Sequence, residues 1–372
     1  MSDGNGAGSG LDADTDAPAP PIFVVGSMRS GSTMLRLILD SHPNIAIGAE
    51  TGFVGGLLAM KSIPNWRYGK DWYRRLDWTE DEVDARLRDF YAGMFGRYAA
   101  EQGKRRWGEK TPFHTSHMDA MAQVFPDAVF VGIVRHPGAV AASLRKSFHY
   151  TFPDALSYWR ATNLDMLRAA RVLGSRFVAC RYEDLVLEGE GVLRELLTFL
   201  GEPWSPDLLE HHRVQQRKGA PRAVDGSTVT SDPIDAKRAG SWTATLTADD
   251  YQALNVTAPL AGFFGYDPAD ALNRQPILPA GSRAAWLPTG HDLCTRQQVW
   301  ADRVDFELRP PSLAIDARPE ELAERLSQVE RALARVRSRR AVRISDAFRK
   351  VQHGRSRHDL RQALAILRGP AR

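Results

Sequence analysis

The sequence predicts an α/β fold: a parallel β-sheet flanked by helices, followed by a helical, basic C-terminal tail. Three observations carry this reading. A short apolar strand, Ile22-Phe23-Val24-Val25, stops at Gly26 and runs into a second apolar segment, Met34 to Leu39, of helical character. Two further β-rich runs, 128–134 and 176–180, are each short and bounded by turn residues. Helical patterns fill the spaces between the three runs, and that alternation is the signature of a parallel sheet with helices on its faces.

The elements follow in order. Residues 1–20 hold four glycines and four aspartates, no Lys or Arg and almost nothing to bury, so a flexible leader is expected. The strand at 22–25 opens the main domain, 21–267, and the helix after it should end before His42-Pro43. Between the first two predicted strands lies an insert, 52–103, rich in aromatic residues: Trp66, Tyr68, Trp72, Tyr73, Trp78, Tyr91 and Tyr98. It reads as a helical subdomain with a small core of its own, some of whose rings would line an acceptor pocket. The strand at 128–134 follows the turn Phe125-Pro126-Asp127 and leads to Arg135-His136-Pro137-Gly138, with a helix expected from Ala139. Residues 268–318 are Pro-rich and irregular. Beyond Pro319 the apolar positions Leu322, Leu326, Val329, Leu333 and Val336 form a short coiled-coil-like seam within a basic helical tail, 319–372.

Composition narrows the function classes. With 43% hydrophobic and 25% charged residues, the 372-residue chain is an ordinary globular protein, and no run approaches the 18 apolar residues of a membrane span. Two cysteines, Cys180 and Cys294, exclude a disulfide framework and point to a reducing, cytoplasmic setting. The net charge of +4 is uneven: 13 Lys and Arg against two Asp give residues 331–372 a charge of +11 and leave −7 for the rest. Such a tail suits peripheral contact with an anionic membrane at its inner face, and nucleic acid is not expected as a partner.

The chemistry is concentrated in Gly26-Ser-Met-Arg29-Ser30-Gly31-Ser32-Thr33. A glycine-bearing turn between a strand and a helix presents backbone N–H groups and a helix N-terminus to an anion. The spacing is that of G-x-x-x-x-G-K-[ST], but Ser32 stands where a nucleoside triphosphatase needs lysine, and the cation sits earlier, at Arg29. That argues against ATP or GTP hydrolysis while keeping the anion cradle. No cluster of residues has convincing metal-ligand spacing, so no metal is expected.

Arg29-Ser-Gly-Ser-Thr-Met-Leu-Arg resembles the 5′-phosphosulfate loop of sulfotransferases that use 3′-phosphoadenosine 5′-phosphosulfate (PAPS), tyrosylprotein and bacterial members above all. Further blocks resemble the same family in order: Arg29 through Glu50-Thr51, Gly108-Glu109-Lys110-Thr111-Pro112, Val134-Arg135-His136-Pro137 with Ser143 beyond, Arg181-Tyr182-Glu183-Asp184-Leu185, and the weaker segment from Pro233 to Trp242. The resemblance spans about residues 21–266 and implies a phosphate-loop sulfotransferase fold. It implies PAPS as co-substrate and transfer to a hydroxyl of a carbohydrate, glycolipid, lipid or other metabolite, releasing adenosine 3′,5′-bisphosphate (PAP). It assigns Glu50 as general base, Lys110 to the leaving phosphate and Arg29 to the transferring sulfuryl group. Ser30, Gly31, Ser32, Thr33 and Tyr182 would join Arg29 at the donor, and Arg135 with Ser143 would take the 3′-phosphate. Lys237 or Arg238 would replace a lysine that some relatives carry where this chain has Ser241, and Ser227 or Ser231 would face the sulfuryl group. His42, His114, His117 and His149 are the competing bases. Acceptor identity and oligomeric state are left open.

Overall fold

A computed structural model of the chain describes residues 19–62, 69, 71–219, 223–224, 228–229, 232–266 and 288–293. The leader to residue 18, Trp66 and Tyr68 of the insert, Ser227 and Ser231, most of 268–318 and the basic tail 319–372 lie outside the described residues.

Five parallel strands form the sheet: β1 (Ile22–Val25), β2 (Ile45–Ile47), β3 (Arg106–Lys110), β4 (Val129–Val134) and β5 (Phe177–Arg181), in spatial order β2-β3-β1-β4-β5. The fold class expected from sequence is the one observed, and its three predicted strands are β1, β4 and β5. The sequence reading missed β2 and β3. The β2 strand has only three residues. The β3 strand, Arg-Trp-Gly-Glu-Lys, carries no apolar run although all five residues are buried. Its charges are satisfied inside: Arg106 donates to the Pro20 carbonyl at 2.6 Å and the Leu200 carbonyl at 2.6 Å and pairs with Glu202 at 3.2 Å. Burial pushes the Glu202 carboxyl up, but hydrogen bonds from Asn44, Arg106 and Arg105 hold it below its usual range.

The α-helices among the described residues are α1 (Ser32–Asp40), α2 (Phe53–Lys61), α3 (Glu80–Glu101), α4 (Met118–Val124), α5 (Pro137–Phe148), α6 (Phe152–Leu173), α7 (Tyr182–Leu187), α8 (Gly189–Leu200), α9 (His211–Arg217), α10 (Ala248–Ala253) and α11 (Ala258–Phe263). Side chains alternate across the strands, so the sheet has two cores. On one face Ile22, Val24, Ile45, Ile47, Val131 and Ile133 pack with Leu35 and Ile38 of α1 and Leu193 and Leu196 of α8. On the other, Phe23 meets Phe53, Trp107, Phe125 and Phe130 at ring-centroid distances of 5.3–5.9 Å.

Rings of the 52–103 insert join that second core, where Phe53 packs on Tyr91 and Phe95, and Phe95 stacks on Trp107 of β3, while Trp72 and Tyr73 pack on each other. The insert's long helix α3 starts at a capping box, in which Glu82 accepts from the Thr79 amide at 2.7 Å and Thr79 Oγ1 accepts from the Glu82 amide at 3.3 Å. From the Pro-rich extension, Pro288 accepts from the Ala179 amide at 3.1 Å, and Thr289 forms an antiparallel bridge to Val178 beside β5.

Candidate active site

All five strands deliver a candidate residue at or just beyond their carboxyl ends, where open α/β sheets bind ligands. The loop 26–33 follows β1, Glu50 follows β2, Lys110 closes β3, Arg135 follows β4 and Tyr182 follows β5. The loop, Glu50, Arg135 and Tyr182 line a cavity of about 800 Å³, and Lys110 is buried behind Glu50 and Thr33, which it contacts.

The loop is shaped by two close approaches. Gly31 has φ 100°, and a Cβ there would sit 2.4 Å from the Tyr182 ring; at Gly26 one would sit 2.4 Å from the Ile133 carbonyl. Gly26 also exchanges hydrogen bonds with Thr115: its amide donates to Oγ1 at 2.8 Å and its carbonyl accepts from it at 3.0 Å. The Met28 amide donates to the Tyr158 hydroxyl at 2.9 Å. Arg29 holds a left-handed conformation, φ 68°, a conformation of the kind that accumulates at ligand clamps. Its Nε donates to Ser143 Oγ at 2.9 Å, and its carbonyl accepts from Arg135 at 3.3 Å. Loop and α5 are thus one unit. Arg29, Gly31, Ser32 and Thr33 line the cavity, whereas Ser30 is fully buried behind them.

The Arg135 guanidinium lies 4.1 Å over the Tyr182 ring and donates to the Arg238 carbonyl at 3.2 Å, and the Arg135 carbonyl accepts from Trp159 Nε1 at 2.9 Å. Arg238 lines the cavity, with its guanidinium paired to Asp232 and 4.0 Å from Asp235. Lys237 points away: it is exposed and absent from the lining, so of the two basic alternatives only Arg238 reaches the cleft. Ser241 lines the cleft as well, and Trp242 stacks on His136 at 4.6 Å.

Across the cavity, Lys110 is only 1% exposed and contacts the Glu50 carboxylate; its Nζ also donates to Thr33 Oγ1 at 3.0 Å. Burial pushes the Lys110 ammonium below its ordinary value, and the Glu50 carboxylate opposes that push. The Glu50 side chain is 41% exposed, open to the cavity that it lines. The competing histidines have other positions. His42 is buried, with Nε2 2.8 Å from the Pro203 carbonyl. His114 is buried beside Glu109, His117 packs on Phe113, and His149 ends α5 with φ 58°.

Sequence reasoning missed the cavity's apolar wall. Phe113, Phe148, Tyr158 and Met28 supply it, and none of the described rings of the insert does. No motif marked them. It also missed His211, which lines the cavity at 2% exposure and whose imidazole burial pushes down to about 4. Folded, this ring stays neutral, whereas an unfolded histidine titrates near 6.5. The unfolded chain therefore takes up the extra proton between those values, and stability falls as the pH drops through that window. From pH 7 to pH 5 the expected loss from this residue is about 2 kcal/mol. Urea unfolding at both pH values checks it: His211→Gln should flatten the difference, and an unchanged difference would assign the acid sensitivity elsewhere.

A five-stranded parallel sheet whose carboxyl ends present an anion loop, a second fixed arginine and a carboxylate–lysine pair defines a group-transfer enzyme of the phosphate-loop class. The Sulfotransferase family model matches residues 20–206, half of the chain, and the protein belongs to the sulfotransferase family. It is a PAPS-dependent sulfotransferase, PAPS being the co-substrate of that family. Protein-tyrosine sulfotransferase 1 of Danio rerio is 29% identical over 263 residues, covering 67% of this chain and 73% of that protein. Protein-tyrosine sulfotransferase 2 of Gallus gallus is 28% identical over 266 residues, covering 67% and 70%. A solved sulfotransferase domain from the Synechococcus PCC 7002 olefin synthase aligns with a TM-score of 0.46 at 24% identity, over 67% of this chain and 98% of that one.

Proposed function

We propose that the protein moves the sulfuryl group of PAPS to the phenolic hydroxyl of a tyrosine in a protein or peptide, with Glu50 as general base. The observation that carries the chemistry is the meeting of Glu50, Lys110 and Thr33 at one edge of the cavity whose other edge holds Arg135. The donor's 5′-phosphosulfate sits against Arg29 and the loop amides, and its 3′-phosphate against Arg135 and Ser143. The acceptor oxygen attacks sulfur in line, the bond from sulfur to the bridging oxygen breaks, and the acceptor proton passes to the Glu50 carboxylate. Charge appears on the departing 5′-phosphate, and Lys110 stabilises it. As Glu50 becomes neutral it releases the ammonium that it held, so the proton transfer and the support of the leaving group are timed together.

Two observations favour a tyrosine. The relatives reported above are named for that acceptor, and the cavity that Glu50 lines has an aromatic wall, with Phe113 54% and Phe148 41% exposed to receive a ring. The carbohydrate and lipid acceptors expected from sequence drew their support from the basic tail, which lies outside the described residues. Labelled PAPS is incubated with a tyrosine-containing peptide and with its phenylalanine counterpart. Label in the tyrosine peptide alone, matched by PAP release, supports the proposal. Label entering only the carbohydrate or lipid of an added cell extract overturns the tyrosine acceptor while keeping sulfuryl transfer.

A further inference from the structure

Glu109 lies directly before Lys110 but faces the opposite side of the sheet, and the mechanism does not use it. It is 2% exposed in the aromatic core, an unusual place for a carboxylate. One oxygen, Oε1, accepts three hydrogen bonds: from the Thr51 amide at 3.0 Å, the Thr51 hydroxyl at 2.8 Å and the Thr111 hydroxyl at 2.9 Å. The other oxygen lies 2.7 Å from Nδ1 of the fully buried His114. Thr111 Oγ1 in turn accepts from the Gly52 amide at 3.2 Å, and Thr51 Oγ1 from the Phe53 amide at 3.2 Å, where α2 begins. These donors hold the Glu109 carboxyl below its usual range although burial pushes the other way.

The two strand ends therefore meet as a crossed double pair. Residues 50 and 51 approach residues 110 and 109, the outer pair joining inside the cavity and the inner pair joining in the core. We infer that Glu109 and Thr51 form a positioning clamp that sets the Glu50 carboxylate against Lys110, through the backbone of residues 50–52. The inference rests on the proposed role of Glu50 for its effect on transfer, but its effect on the Glu50–Lys110 pair stands apart from that role. Apart from the clamp, the contact above that holds this turn is the Gly52 amide to Thr111 Oγ1, and Glu50's own side chain is partly solvated. Displacing a catalytic group by about an ångström costs on the order of 10²-fold in rate.

The test uses the full-length protein. Thr51→Val removes one hydroxyl and no charge; Glu109→Gln removes the charge and is the variant that risks misfolding. Transfer to the tyrosine peptide should fall about tenfold in kcat for Thr51→Val and about 10²-fold for Glu109→Gln. Affinity for PAP, which lies at Arg29 and Arg135, should be unchanged, and Thr51→Ser should recover most of the turnover. A second readout needs no acceptor: NMR titration of Lys110 with labelled lysine. The charged groups facing Lys110 are Glu50, Glu109 and Arg36. In Thr51→Val all three remain, so a Lys110 midpoint that drops toward the Glu50→Gln value shows that the carboxylate has moved away. A midpoint equal to wild type in a folded Thr51→Val protein overturns the clamp. If Glu50→Gln transfers normally while the midpoint still drops, the clamp stands and the base assignment falls.

Discussion

Glu50→Gln should slow sulfuryl transfer by about 10²–10⁴-fold while PAP binds as in wild type. The amide keeps the size and polarity of the side chain but cannot take the acceptor proton. Lys110→Ala should lose about 10²–10³-fold, the usual effect of removing one donor aimed at developing charge. The two losses should not multiply. In the structure each group is the other's nearest partner, Lys110 at 1% exposure and Glu50 at 41%, so either substitution already breaks the timing between proton transfer and leaving-group support. Single-turnover transfer from labelled PAPS reads the two single variants and the double variant that combines them. The alkaline limb of the rate should lie below the ordinary lysine value because burial lowers Lys110, and it should move lower still in Glu50→Gln, where the opposing carboxylate is gone. Undiminished transfer by Glu50→Gln would move the base to another residue. Among the histidines, His211 lines the cavity and is the next candidate.

The missing phosphate-loop lysine has a structural answer. In the loop, Ser32 stands at the position where an ATP site carries its cation, and the chain replaces it from a different strand. Lys110, at the end of β3, brings its ammonium to 3.0 Å from Thr33 Oγ1, one residue beyond the vacant position. A lysine on the loop would share the loop's motion. One buried at the end of an interior strand, with a carboxylate beside it, is tied instead to the group proposed to take the proton. On that proposal, the difference separates hydrolysis of a terminal phosphate from transfer coupled to deprotonation of an alcohol.

How much of this was legible depended on whether a residue's burial could be read from its type. The β1, β4 and β5 strands are apolar runs and were found within a residue or two. The β3 strand was invisible to the same reasoning because it is charged: Arg106 and Lys110 are buried against partners far away in sequence, Glu202 and Glu50, and Glu109 is buried beside His114. Only the resemblance to sulfotransferases flagged residues 108–112, and it flagged them as a motif rather than a strand. The strand order, with β3 inserted beside β1, has no local signal. Within the site, Arg29, Thr33, Arg135 and Tyr182 are tied to turns at strand ends and could be anticipated. Phe113, Phe148 and His211 could not, because a ring facing a cavity and a ring facing a core have the same sequence signature. The choice between Lys237 and Arg238 was left open for a similar reason. Both lie in one short turn, Ala236–Ala239, where only the backbone path decides which side chain enters the cleft.

Arg135→Ala should weaken PAP by about 10²-fold and leave 5′-AMP nearly unaffected, as measured by calorimetry. The guanidinium offers five N–H donors in a fixed fork. Two go to the Arg29 and Arg238 carbonyls, while its Nε is buried with no hydrogen-bond partner among the described residues. A buried donor left unpaired is costly, and an anionic oxygen is the partner that would satisfy it. The Tyr182 ring, 4.1 Å from the guanidinium, supports it by a cation–π contact. Ser143 of α5 is proposed to support the same subsite: its oxygen accepts from Arg29 Nε, its own hydroxyl proton remains to donate, and Ser143→Ala should cost about tenfold in PAP affinity. Arg135→Lys keeps the charge but not the fork, so it should recover little. AMP lacks the 3′-phosphate and serves as the control. If Arg135→Ala weakens PAP and AMP equally, the residue acts by holding the Arg29 carbonyl and the loop, and the 3′-phosphate must be bound by another group, with Arg238 first among those lining the cavity.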